Sequence, residues 1–231
     1  MRAEQAIYTS ARTNRASGYH LIAQSSGIDE HQARALIQWC PSHAGLASEE
    51  TGASSLNFHP LDDGWVALSR TVYGGPEYSA RGGLQIVTRV LLLRSEYLAG
   101  YQYDPVMVAQ VAMAFGHLRL EPSAPEVLPT LDLPDRPNRA EPVGDPVTDS
   151  LVNRIWNCVT SGKRALVVGA QAPLLVLALL LASLPERQRL DLAFTTGLKP
   201  SMNRPFRLHF LPAADAGLQQ QLARQGICIV T

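Results

Sequence analysis

Arginine beside glycine is the pairing in this chain most able to do chemistry on a partner. In Glu77-Tyr78-Ser79-Ala80-Arg81-Gly82-Gly83, small neighbours let the backbone come close, and a planar guanidinium can grip a carboxylate or phosphate with two parallel hydrogen bonds. A structural reading of the same residues is a turn whose arginine pairs with an acidic neighbour. Nucleophilic chemistry has two weaker candidates. One is Cys40 with His43 or His59, although a helix end beside Pro41 is not the cationic setting that makes a thiolate. The other is a serine near the N-terminal hairpin, Ser10 or one in Ser25-Ser26-Gly27, without the GxSxG elbow. Ser161-Gly162-Lys163 resembles the tail of a phosphate loop, but Asn157 and Arg164 stand where that motif needs glycine and a hydroxyl. The turn Gly169-Ala170-Gln171-Ala172 before Pro173 lacks the glycines of a dinucleotide site. The six histidines show no metal-ligand spacing. The sequence therefore predicts no assembled catalytic site, no cofactor and no metal, with a hydrolase using an uncommon serine or cysteine as the alternative.

Composition narrows the partners. Lysine plus arginine and aspartate plus glutamate number twenty each in 231 residues, so charge balance predicts no nucleic-acid footprint. Three separated cysteines, Cys40, Cys158 and Cys228, without CxxC spacing, suggest a reducing, cytoplasmic setting in which disulfides are not expected. The uncharged stretch 165–184 has the length of a membrane helix. It reads better as a buried strand over 165–168, a turn over 169–172 and a helix opening at Pro173. No membrane association is predicted.

The elements that must carry these residues follow from periodicity and turn chemistry. Residues 5–10 and 19–24 are rich in β-branched and aromatic types and form a hairpin, with Tyr8 and Tyr19 as its aromatic candidates for partner contact. Asp29 caps a helix over 31–40, and Asp62-Asp63-Gly64 joins strands over 56–61 and 65–73. The apolar run 84–93 reads as a central strand covered on both faces, and Asp104-Pro105 opens an apolar helix ending near Gly116. Seven prolines between 121 and 146 predict an extended linker without helix or strand. Beyond it come a helix over 148–159, the strand, turn and helix above, strands over 190–198 and 205–211, a helix over 214–225 and a strand over 227–230. The expected class is α+β: an N-terminal mixed domain, 1–120, in the order ββαβββα; a linker, 121–146; and a smaller αβαββαβ part, 147–231.

The segments Glu4-Gln5-Ala6-Ile7-Tyr8-Thr9-Ser10 and Gly18-Tyr19-His20-Leu21-Ile22-Ala23-Gln24-Ser25-Ser26-Gly27-Ile28 look like a known family. So do residues 77–83 with Thr88 and Leu91 behind them, and Phe194-Thr195-Thr196 preceded by Leu184-Pro185. In their order they resemble bacterial GTPase-associated proteins with the type 2 N-terminal domain, found in predicted NTP-dependent conflict systems. Ala80 departs from that pattern, standing where glycine is expected. The resemblance implies a non-enzymatic adaptor working with a GTPase or other subunits of an assembly. The residues expected to contact such a partner are Tyr78, Arg81, Tyr8 and Tyr19.

Overall fold

A computed structural model describes all residues except 14–15, 51, 78–82, 121–124 and 136–141. The first hairpin, β1 (Arg2–Arg12) and β2 (Ser17–Ser25), is antiparallel. Helix α1 (Glu30–Trp39) starts at a reciprocal cap in which the Gln32 amide donates to Asp29 Oδ1 at 2.8 Å and the Asp29 amide donates to Gln32 Oε1 at 3.0 Å. Strands β3 (Ser54–Pro60) and β4 (Trp65–Pro76) meet across Asp62–Gly64, where Asp63 and Gly64 both take positive φ, as the Asp-Gly signal predicts. Strand β5 (Leu84–Arg94) and helix α2 (Pro105–Ala114) follow, the latter capped by Asp104, which accepts from the amides of Val106 and Met107. That order is the expected ββαβββα.

The proline-rich segment is extended where described, yet it is not free of strand. Val127–Leu128 (β6) pairs with β2, and Leu131–Asp132 (β7) pairs with β1. Both pairs fall between prolines, so their amides remain available to a ladder. The remainder comprises α3 (Pro146–Thr160), β8 (Ala165–Val168), α4 (Pro173–Ser183), α5 (Glu186–Asp191), β9 (Phe194–Thr195), β10 (Leu208–Leu211), α6 (Ala216–Arg224) and β11 (Cys228–Val230). Strand β8, turn and α4 account for the uncharged stretch, and no helix among the described residues is long and apolar enough to cross a membrane. The strand expected over 190–198 is mostly something else: 186–191 winds as α5 behind Pro185, and only two residues join the sheet.

All these strands share one sheet in the order β11-β8-β10-β9-β3-β4-β5-β1-β2-β6, with β7 beside β1. The N-terminal strands β1 to β5 pair antiparallel and β8 to β11 pair parallel, and the two halves meet where β3 runs antiparallel to β9. One apolar face packs Phe58, Leu68 and Leu91 together with α2, α3 and α4. The opposite face carries α1 over Ala6, Ala67, Val90 and Leu92, and α6 over Leu166 and Leu211. The polypeptide is thus an α+β protein with a mixed sheet, as its periodicities predict.

One expectation is corrected. Cys158 and Cys228 form a disulfide, with Cα atoms 6.4 Å apart, and Cys40 is the free cysteine. Seventy residues separate the pair in sequence, a spacing that carries no signal. Only the docking of α3 against β11 brings the end of that helix beside this edge strand.

Val90 is 2% exposed, and every residue from Ile86 to Leu93 is buried, so β5 is covered on both faces as expected. A carboxylate there would be buried without a partner. Val90→Asp should lower unfolding free energy by about 3 kcal/mol or more in a denaturant titration, whereas the isosteric Val90→Thr, which buries a hydroxyl but no charge, should cost less.

Candidate functional site

The hairpin strands bring the two tyrosines together. Register places Tyr8 opposite Thr88 on β5, and the Tyr8 and Tyr19 ring centroids lie 5.9 Å apart. Tyr8 is only 5% exposed, so it forms the floor of this end of the sheet, while half-buried Tyr19 is the more accessible ring. The Ile86 amide donates to the Tyr19 hydroxyl at 3.3 Å, and Thr9 Oγ1 donates to the Ile86 carbonyl at 2.7 Å. Burial pushes the Tyr8 phenol up to about 12, with Cys40 and Tyr19 adding to the effect and Arg204 opposing it. Tyr8 is therefore a neutral donor at any physiological pH.

Tyr78 and Arg81 lie outside the described residues, but both feet of their loop are defined. The Glu77 amide donates to the Gly83 carbonyl at 3.1 Å, closing the base. Ser10 Oγ donates to Glu77 Oε1 at 3.0 Å, and Gln85 Nε2 donates to the Ser10 carbonyl at 2.5 Å, which tie the base to β1. Gly83 has φ +126°, and a Cβ there would come within 2.9 Å of the His43 ring, so both backbone and packing require glycine. Glu77 and Gly83, the feet of that segment, thus lie at the same end of the sheet as Tyr8 and Tyr19.

Behind the tyrosines the sheet carries a polar layer that the sequence did not announce. Thr71 and Thr88 share a hydroxyl hydrogen bond of 3.0 Å, and Asn57 Nδ2 donates to Thr71 Oγ1 at 3.2 Å and to Ser69 Oγ at 3.3 Å. Asn57 Oδ1 in turn accepts from Ser55 Oγ at 2.6 Å and from Thr195 Oγ1 at 2.7 Å. These six side chains come from β5, β4, β3 and β9, and all are buried. Alternation explains it: they occupy one face in adjacent registers, a pattern invisible until the strand order is known.

Around this layer stand Cys40, His59, His209 and Arg204. Cys40, His59, Asn57 and Phe206 line one small internal space. The Phe206 ring lies 5.9 Å from His59 and 6.1 Å from His209, so it separates two buried imidazoles. Burial pushes both histidines down to about 4, in His59 against a hydrogen bond to the Pro60 carbonyl, in His209 against a backbone hydrogen bond to Phe206, with Arg164 and Arg204 adding to the effect. Burial pushes the Cys40 thiol up to about 12, with Arg204 pulling the other way. A protonated thiol beside neutral imidazoles is poorly set for nucleophilic attack. Ser10 and Ser25 are committed to structure: Ser10 to Glu77, and Ser25 Oγ to the Gln5 amide at 2.8 Å and the Pro129 carbonyl at 3.2 Å.

The hairpin, α1, the three long antiparallel strands and α2 form the architectural unit that carries the tyrosines and the loop. Residues 2–134 match the family described as GTPase-associated protein 1, N-terminal domain type 2. The match covers more than half of the 231 residues, and the chain belongs to this family. No curated protein and no solved structure matches it.

Sequence reasoning missed Arg204, His209 and the polar layer. Arg204 reads as one polar residue in a connection, and its proximity to Tyr8 and Cys40 depends on β9 docking against β3.

Two outcomes follow from the buried groups. With its thiol raised to about 12 from 9.0, Cys40 should react with iodoacetamide at pH 8 roughly a thousandfold more slowly in the folded chain than in the unfolded one. Labelling at the rate of a free thiol would restore the nucleophile reading. For His59 and His209, folding depresses the pKa from 6.5 to about 4, so between those values the unfolded chain binds more protons and stability falls as pH falls. Each should remove about 2 to 3 kcal/mol between pH 6.5 and 4, and His59→Gln should flatten that slope in denaturant titrations across the window.

Proposed function

We propose that this chain is a non-enzymatic docking module that binds a GTPase within a larger assembly, of the bacterial conflict type that the family resemblance implies. Membership of a GTPase-associated family supports the choice of partner. The observation that carries the docking reading is the outer edge of β2. From Ser17 to Ala23 this edge has no ladder partner among the described residues, since β6 meets β2 only at Gln24 and Ser25. Its free amides and carbonyls can accept an extended segment of another protein, the strand-addition mode of recognition. Tyr19 lies on this strand, so a segment paired with β2 would run past it. Arginine and tyrosine are the side chains most often found at the energetic centre of interfaces.

Arg81 acts here as a docking residue, its guanidinium meeting an acidic surface or phosphate region of the GTPase. The experiment is copurification of the GTPase with the chain, followed by binding and hydrolysis measurements on Arg81→Ala. Docking should cost about 1 to 4 kcal/mol in affinity with the hydrolysis rate of the bound GTPase preserved. An arginine supplied to the transition state would instead lower hydrolysis by roughly a thousandfold or more. Unchanged binding and unchanged rate would reject a role for Arg81, and a lowered melting temperature with both lost would make it structural.

A further inference from the structure

The parallel half of the sheet opens a cleft at the ends of its strands. Strands β8 and β10 are adjacent and parallel, yet the chain leaves them toward opposite faces. After β8 it enters α4, which packs on the face of α2 and α3, and after β10 it enters α6, which packs over Leu166 and Leu211. Two connections that diverge from neighbouring strands leave between them a crevice that neither fills. A cavity of about 570 Å³ lies there, with Ala170 and Pro173 on the β8 side and Leu211, Pro212 and Ala213 on the β10 side. Its remaining wall is the segment before β3. Leu46 bridges Leu198, the Ala47 amide donates to the Gly197 carbonyl at 2.8 Å, and the Lys199 amide donates to the Gly45 carbonyl at 2.9 Å, so this wall is fastened across the strand ends. Gly197 permits the close approach, since a Cβ there would come within 2.7 Å of the Ser54 carbonyl oxygen. The wall falls within the family-matched residues 2–134, and the strand ends fall outside them.

The chemistry of the lining narrows the ligand. Phe210 and Leu211 make a buried apolar floor, and Glu50, Ser54 and Pro212 form an exposed rim. Among the described residues no lysine, arginine or histidine lines the cavity, and Glu50 is its charged group. Thr196, also in the lining, accepts at Oγ1 from the Leu56 amide at 2.8 Å, which leaves its own proton to donate. A hydrocarbon chain would leave these polar groups unpaired, and a free sugar would leave the floor uncovered. A phosphate or carboxylate would meet Glu50 without an opposing side-chain cation. We propose that this cavity binds a nucleoside-class ligand, with its heterocycle on the apolar floor between the two connections and its sugar hydroxyls donating to Glu50 at the rim. The volume lies within the roughly 300 to 1,000 Å³ typical of small-molecule sites. An acidic side chain that accepts from ribose hydroxyls is also the means by which crevices at strand ends hold such ligands.

The test uses the full chain without a GTPase. Strand β2 lies at the far end of the strand order, so failure here would leave the docking reading standing. Adenosine, guanosine, cytidine and uridine are titrated separately by calorimetry. At least one should bind with a dissociation constant of about 0.1 mM or tighter, as the size of a nucleoside allows. For that nucleoside, Glu50→Ala and use of the 2′,3′-dideoxy form should each weaken binding about tenfold, and the two together should weaken it no further, because each removes the same hydrogen bonds. Ala213→Trp, at an exposed rim position, should abolish binding at an unchanged melting temperature. The 5′-monophosphate should bind no tighter than its nucleoside. Absence of binding by all four, binding undiminished by Glu50→Ala, or a monophosphate that binds about tenfold tighter than its nucleoside would each overturn the proposal.

Discussion

Asn57 holds the two halves of this molecule in register. Its side-chain amide donates to β4 hydroxyls and its oxygen accepts from Ser55 and Thr195, so one buried group ties β3 to both neighbours. The seam it occupies is short: β9 contributes two residues, Phe194 and Thr195, to the pairing with β3. Two rungs of ladder would hold weakly alone. On one face the Asn57 network closes the joint, and on the other Phe58 stacks on Phe194 with ring centroids 5.8 Å apart. The Leu56 amide also donates to Thr196 Oγ1 at 2.8 Å, and the Thr196 amide donates to the Leu56 carbonyl at 3.0 Å. Removing one member of such a network leaves its partners unsatisfied in a low-dielectric layer, at about 1 to 3 kcal/mol for each.

The same constraint shapes the surroundings. A sheet with one apolar face and one partly polar face must cover the polar side with groups that satisfy it. Here the cover is the end of α1, the loop before β3 and the β9–β10 connection, all of which bring side chains rather than regular backbone. Cys40, His59, Phe206 and Arg204 gather there because those elements cross the polar layer. Desolvation then keeps the thiol protonated and the imidazoles neutral.

Local chemistry proved legible wherever a single element decided it. Asp62-Asp63-Gly64 has one good solution between two apolar runs, Asp104-Pro105 caps a helix by its own side chain, and the uncharged 165–184 stretch divides at Gly169 and Pro173. Where several elements share the decision, the reading failed. Residues 190–193 are apolar enough for a strand, but Pro185 starts a helical turn that runs to Asp191. Val127–Leu128 and Leu131–Asp132 lie among prolines, and only the exposed sides of β1 and β2 recruit them into the sheet.

By itself the sequence determined the α+β class, the order of the N-terminal elements and the two-faced burial of β5, because each depends on periodicity, capping or turn residues within a few positions of one another, and the order of several separated segments carried the resemblance to the family. Tertiary structure alone decided that the antiparallel and parallel halves form one sheet, that Cys158 meets Cys228, and that Thr88, Thr71, Asn57 and Thr195 align. The physical reason is the two-residue alternation of strands: it tells which face a side chain takes within its own strand, but not which strand lies next to it or in what register. Arg204 came to Tyr8 and Cys40 by that second kind of information, across nearly the whole length of the chain.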